Sequence, residues 1–95
     1  AKAAAATLTR FIALEEGKNG ITANIVAPGR VVDPDSTEDP STDKRELAAE
    51  LRGRMALASF PTSIEVARII RTLIQPAYDV ITGQTVWVTG GEPIT

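Results

Sequence analysis

Asn24-Ile25-Val26-Ala27-Pro28-Gly29, directly after Gly20-Ile21-Thr22-Ala23, is the stretch on which the fold turns. Ile21, Ala23, Ile25 and Ala27 alternate with Thr22, Asn24 and Val26, so a strand over 21–27 has two fairly apolar sides. A parallel strand needs that pattern, because its connections lay helices across both faces of the sheet. Pro28-Gly29 ends the strand abruptly, since proline has no N–H for the ladder and glycine accepts a turn. Upstream, Ala3, Ala4, Ala5 and Ala6 are strong helix formers, and Leu8, Phe11, Ile12 and Glu15 follow at helical spacing. The reading there is a helix over 2–16 that buries Leu8, Phe11 and Ile12 and stops at Gly17 or Gly20.

Downstream, residues 33–43 carry Asp33, Asp35, Glu38, Asp39 and Asp43 among prolines, serines and threonines, with no basic residue. Such a stretch is too polar to pack by itself and reads as a loop, either solvated or acting as a lid. A second helix is expected over 44–57, with Leu47, Ala48, Leu51 and Met55 on one side. Thr62-Ser63-Ile64-Glu65 has the spacing of a capping box, in which Thr62 and Glu65 satisfy each other's free backbone donors. The helix it opens, about 63–74, is expected to bury Ile64, Ala67, Ile70 and either Leu73 or Ile74, and Pro76 prevents its continuation. Thr85-Val86-Trp87-Val88, closing on Thr89-Gly90-Gly91, gives a last strand over 84–89.

The order is α-β-lid-α-α-β. Two strands joined through helices imply a parallel pair with a right-handed crossover. Two parallel strands make a poor sheet alone, so the expected fold is α/β, the edge of a larger sheet and incomplete on its own. Ninety-five residues allow one small domain, and 43% hydrophobic with 23% charged residues is ordinary for a globular chain. Net charge is −2, which gives no general attraction to nucleic acid or an anionic membrane. With no Cys and no His, disulfides, zinc fingers, thiol redox chemistry and histidine triads are excluded. No apolar run approaches the roughly 20 residues of a membrane span, and no signal-peptide pattern is present. A first residue of Ala rather than Met is expected of a processed or cut polypeptide.

Four features in this order resemble the C-terminal part of a short-chain dehydrogenase/reductase, including 3-oxoacyl-acyl-carrier-protein reductase-like members. They are Lys2-Ala3-Ala4 leading into Leu8-Thr9-Arg10; Gly20-Ile21-Thr22-Ala23-Asn24 with Pro28-Gly29; Ile64-Glu65-Val66-Ala67; and Ile81-Thr82-Gly83-Gln84 leading to Val88-Thr89-Gly90-Gly91. The resemblance implies that residues 1–95 are the C-terminal portion of one NAD(P)-binding domain with a doubly wound Rossmann-type sheet. A variable substrate-binding lid would then occupy about 33–57. It implies an oxidoreductase that interconverts a carbonyl and a secondary alcohol with NAD or NADP. By that resemblance Lys2 is the lysine of a Tyr-x-x-x-Lys motif whose tyrosine lies three residues before Ala1. A phenol that donates a proton near neutral pH must titrate well below its free value near 10, and a neighbouring ammonium favours its ionised form.

The resemblance further sets Pro28, Gly29 and Val31 against the cofactor. At the position of a threonine in many members this chain has Asp33. A carboxylate beside a pyrophosphate is unfavourable, so Asp33 either points away, accepts from the carboxamide, or weakens cofactor binding. No metal is called for. The expected partners are a small carbonyl or alcohol substrate and further copies of the chain, as a homotetramer or homodimer through helix 2–16 and the 63–89 region, in the cytoplasm. Trp87 suits either a packed face or that contact. The alternative class is a catalytically silent relative serving as a binding or partner subunit. A Tyr three residues before Ala1 separates the two. The 95 residues alone lack the Gly-rich phosphate loop and the proton donor, and are expected to be inactive and to bind nicotinamide cofactor poorly.

Overall fold

The alanine run does form a helix, α1, Lys2–Glu16. A further 3-10 turn, Gly17–Asn19, follows before Gly20 adopts the left-handed conformation at φ 75° and turns the chain. Gly17 is thus the C-cap of α1, right-handed at φ −57°, while the left-handed turn falls at Gly20. The remaining elements are β1 (Ile25–Pro28), α2 (Thr42–Arg54), α3 (Ser63–Leu73), a 3-10 turn (Pro76–Tyr78) and β2 (Thr85–Val88). The computed structural model describes residues 1–33 and 42–91, so most of the acidic stretch expected to form a lid loop lies outside the described residues.

β1 and β2 are parallel, in register from Ile25 opposite Thr85 to Pro28 opposite Val88, as the α-β-α-α-β order requires. The strand expected over 21–27 is shorter than read. Residues 21–24 lie outside the ladder, and Ala23 and Asn24 bond instead to the loop before β2. The Ala23 N–H donates to Thr82 Oγ1 at 3.1 Å, and the Gly83 N–H to Ala23 O at 2.7 Å. Asn24 donates through Nδ2 to Ile81 O at 3.0 Å and accepts at Oδ1 from the Gln84 N–H at 3.1 Å. One side chain thus serves both polar groups of the approaching loop, which sets the register before the first ladder bond. Alternation shows which residues share a face, and it does not show where side chains replace the partner strand.

α2 begins two residues earlier and ends three earlier than expected, at Thr42 and Arg54. α3 carries the full capping box: the Glu65 N–H donates to Thr62 Oγ1, and the Thr62 N–H donates to Glu65 Oε1 at 3.0 Å. Ile74 caps its C-terminus and Pro76 opens the next turn.

The expected core needs correction. Leu8, Phe11 and Ile12 are 60%, 61% and 39% exposed, and Ile64 and Ile70 are 60% and 47% exposed. α3 packs against β1. Its half-buried stripe is Val66, Ile69 and Leu73: Leu73 is one of the two residues expected at that end, while Val66 and Ile69 take the places expected of Ala67 and Ile70. Both helices carry apolar residues on more than one face, and a single two-stranded sheet covers only one. Met55, Phe60, Pro61 and Ala13 are the buried apolar residues among the described residues, and no large side chain is completely enclosed.

Candidate functional site

The carboxyl ends of parallel strands are where open α/β sheets bind ligands. Here both strand ends turn on glycine. The Gly29 N–H donates to Val88 O at 3.1 Å, which fastens the Pro28-Gly29 turn to the end of β2. Beyond it the Val32 N–H donates to Pro61 O at 2.9 Å, so residues 30–32 run beside the Phe60-Pro61 segment.

After β2, Thr89 is 7% exposed, and its hydroxyl accepts the Gly91 N–H at 3.2 Å. Gly90 and Gly91 have φ of 71° and 87°, and their carbonyls accept from the Leu57 and Ala56 N–H groups at 2.9 and 3.3 Å. A methyl on Gly90 would collide with the Ser59 carbonyl and lie 2.7 Å from Met55 Cε; one on Gly91 would collide with the Ala56 methyl. The Gly90-Gly91 pair is thus fixed by backbone conformation and by close approach of the segment after α2.

Lys2 and Pro28 line one cleft of about 350 Å³ between the start of α1 and the sheet. Ala3, Ala5 and Ala6 form one wall. Ile25 and Ala27 face it from β1, and Thr85 and Trp87, their register partners, from β2. The small alanine side chains keep this gap open where α1 crosses the sheet. The structure therefore brings together two of the residues singled out in the sequence. Gly29 is next to Pro28 in the turn, and Val31 is 39% exposed two residues on. Trp87 is a cleft residue that the sequence left undecided; pairing of Ala27 with Trp87 places it, and only the tertiary register shows that pairing.

Asp33 lies against the start of α3. Its Oδ1 accepts from the Ser63 N–H at 2.9 Å and its Oδ2 from the Ser63 hydroxyl at 2.6 Å. Of the alternatives open for Asp33, the geometry corresponds to pointing away, onto the start of α3. The Ser63 hydroxyl and then its N–H hold the carboxyl below its ordinary value, against a small opposing effect of desolvation. A carboxylate at a helix N-terminus is also favoured by the free N–H groups there.

Sequence reasoning did not single out Phe60. Its ring is 8% exposed, with the Arg30 guanidinium carbon 5.5 Å and that of Arg52 5.7 Å from its centre. Arg30 directly follows the Pro-Gly turn, and that adjacency was the available signal. Among the described residues no three His, Cys, Asp or Glu side chains are arranged to hold a metal, and no helix is long and apolar enough to cross a membrane.

The family model described as Enoyl-(Acyl carrier protein) reductase matches residues 1–92. The chain belongs to the short-chain dehydrogenase/reductase family. It is 34% identical over 96 residues to the short-chain reductase protein NovJ of Streptomyces niveus, covering 98% of this chain and 37% of NovJ. It is 36% identical over 91 residues to the 3-oxoacyl-[acyl-carrier-protein] reductase FabG of Pseudomonas aeruginosa, covering 96% and 35%. Among solved structures, a double mutant of a Serratia marcescens short-chain dehydrogenase/reductase superposes with a TM-score of 0.76 at 32% identity, covering 95% of this chain and 35% of that one. The chain thus spans about a third of the length of the relatives it matches, and its fold is the corresponding part of a Rossmann-type α/β sheet.

Proposed function

We propose that the complete polypeptide is an NAD(P)-dependent oxidoreductase interconverting a carbonyl and a secondary alcohol, with these residues forming one side of its site. The observation that carries this is the shared cleft of Lys2 and Pro28 along β1 and β2, in a chain of this family. The relatives named above include a short-chain reductase and a 3-oxoacyl-[acyl-carrier-protein] reductase, which supports reductase chemistry.

The residues fit the nicotinamide end of such a cofactor. Alanine and isoleucine walls suit a flat ring, and the ammonium of Lys2 suits ribose hydroxyls. Pro28, Gly29 and Val31 would hold the carboxamide side through backbone groups. The bound cofactor would supply or accept the hydride. Lys2 would orient the ribose and, as a neighbouring cation, favour the ionised form of a phenolic proton donor. Asp33, engaged by Ser63, would hold the segment after the Pro-Gly turn against α3 and leave the cofactor contact to its neighbours. A homo-oligomer joined through α1 and the 63–89 region, in the cytoplasm, is part of this reading; the apolar faces left uncovered on α1 and α3 accord with the oligomer.

The test is NAD(P)H oxidation by the complete polypeptide with a panel of ketones and 3-oxoacyl thioesters. Lys2→Met is expected to lower kcat/KM by roughly 10²–10⁴-fold, the scale of a lost proton-transfer catalyst. Absence of turnover in the wild type, together with retained binding of NADH or NADPH, would favour the silent-subunit reading.

A further inference from the structure

Arg30 and Arg52 reach Phe60 from different elements. Arg30 leaves the turn after β1, Arg52 sits near the end of α2, and Phe60 precedes α3. Both guanidinium carbons lie within 5.7 Å of the same ring centre, so the two charges are separated by no more than the sum of their distances to it. That upper bound is somewhat longer than the roughly 8 Å screening length in physiological salt, so any repulsion between the like charges is partly screened.

Among the described residues, three carboxylates on these elements are engaged elsewhere. Asp33 accepts twice from Ser63, Glu50 pairs with Arg54 at 2.6 Å, and Glu65 is held by Thr62. Among the described residues neither the Arg30 nor the Arg52 side chain has a hydrogen bond or an ion pair. A guanidinium lying over an aromatic ring still presents its N–H groups along its edge, in the fork that matches a carboxylate or phosphate. Phe60 is itself nearly buried and is held by the bond from Val32 to its neighbour Pro61, so the ring is a fixed platform.

We infer that Arg30 and Arg52, seated on Phe60 beside the Pro28-Gly29 turn, form an anion clamp for a carboxylate or phosphate group on the substrate. The inference rests on the oxidoreductase reading for what the anion belongs to, and on geometry alone for the clamp. The place is apt, because Arg30 adjoins Gly29 and so lies within a few ångströms of backbone from the residues proposed to hold the nicotinamide. A charge placed there would select substrates with an acidic tail and orient them over the turn.

Calorimetric titration of the complete polypeptide with malonate and with inorganic phosphate, at low ionic strength, tests the clamp without turnover. Saturable uptake of at least one probe is expected. Arg30→Met and Arg52→Met keep the apolar stem on the ring and should each weaken binding about tenfold or more, the scale of a charge-assisted hydrogen bond. Arg54→Met, the same charge change on the same helix, should leave uptake within about twofold, as expected for a surface ion pair. Malonate alone would assign a carboxylate-bearing substrate and phosphate alone a phosphate-bearing one. No uptake of either, or equal weakening in all three variants, would overturn the clamp. In parallel, the wild-type preference in kcat/KM for acetoacetate over its methyl ester should fall about tenfold in Arg30→Met. If neither compound nor any other carbonyl is reduced, the oxidoreductase reading fails while the titration still decides the clamp.

Discussion

Single positions carry much of the geometry. Gly90 is one: a side chain there meets the Ser59 carbonyl and Met55, and its backbone is left-handed at φ 71°. Gly90→Ala in the complete polypeptide should lose about 1–3 kcal/mol in denaturant unfolding, the cost of a strained backbone position to which crowding adds. Asp33 is another. Its carboxyl titrates below the ordinary value because Ser63 donates to the charged form. A depressed folded value means that this contribution is fully present above the unfolded value near 3.9 and is lost as pH falls through the lower folded value. NMR titration of the Asp33 carboxyl carbon should show a midpoint below the free one. Ser63→Ala should move it back up, since the side-chain hydrogen bond is the larger cause. A midpoint unchanged by Ser63→Ala would remove Ser63 from the account. Both positions had sequence signals, Gly-Gly after a strand and a carboxylate where a threonine is common. The partner of each was set by chain segments about 30 residues away, which local pattern cannot identify.

At the scale of elements, α3 and β1 show how far pattern carries. Thr62-Ser63-Ile64-Glu65 gave the start of α3 correctly because a capping box depends only on neighbours in sequence. Thr62→Ala should cost about 1 kcal/mol in thermal or denaturant unfolding, within the usual range for a lost N-cap. Of the half-buried stripe of α3, only Leu73 was among the residues its sequence singled out. Ile64, Ile70 and Ile74 are as apolar as Val66, Ile69 and Leu73, and the sheet decides which row faces inward. β1 was read four residues too long at its start. Asn24 takes over the bonding role of the ladder there, and Asn24→Leu should cost about 1–3 kcal/mol by leaving Ile81 O and the Gln84 N–H without partners. A shift in amide chemical shifts confined to residues 81–84 would accompany it.

For the whole molecule, a Cα radius of gyration of 16.2 Å exceeds the roughly 12 Å of a compact chain this long. Leu8, Phe11 and Leu14 on α1, Ile64 and Ile74 around α3, and Val80 before β2 are all more than half exposed. Contiguous apolar faces of this kind need cover. The isolated 95 residues should therefore self-associate in sedimentation velocity and bind a hydrophobic dye, and should not retain NADH in equilibrium dialysis. A monomeric, dye-silent chain with a cooperative unfolding transition would contradict this.

Sequence by itself determined the helix over 2–16, the order of elements, the parallel relation of the two strands, the capping box, and the family through its spaced short motifs. Each of these depends on residues close together in the chain or on topology with few alternatives. Tertiary structure alone decided the meeting of Lys2, Pro28 and Trp87 around one cleft, the turn of Asp33 onto Ser63, the seating of two arginines on Phe60, and which apolar rows were covered. Those outcomes depend on strand register and on contacts between distant segments, where several side chains of equal local suitability compete and packing selects among them.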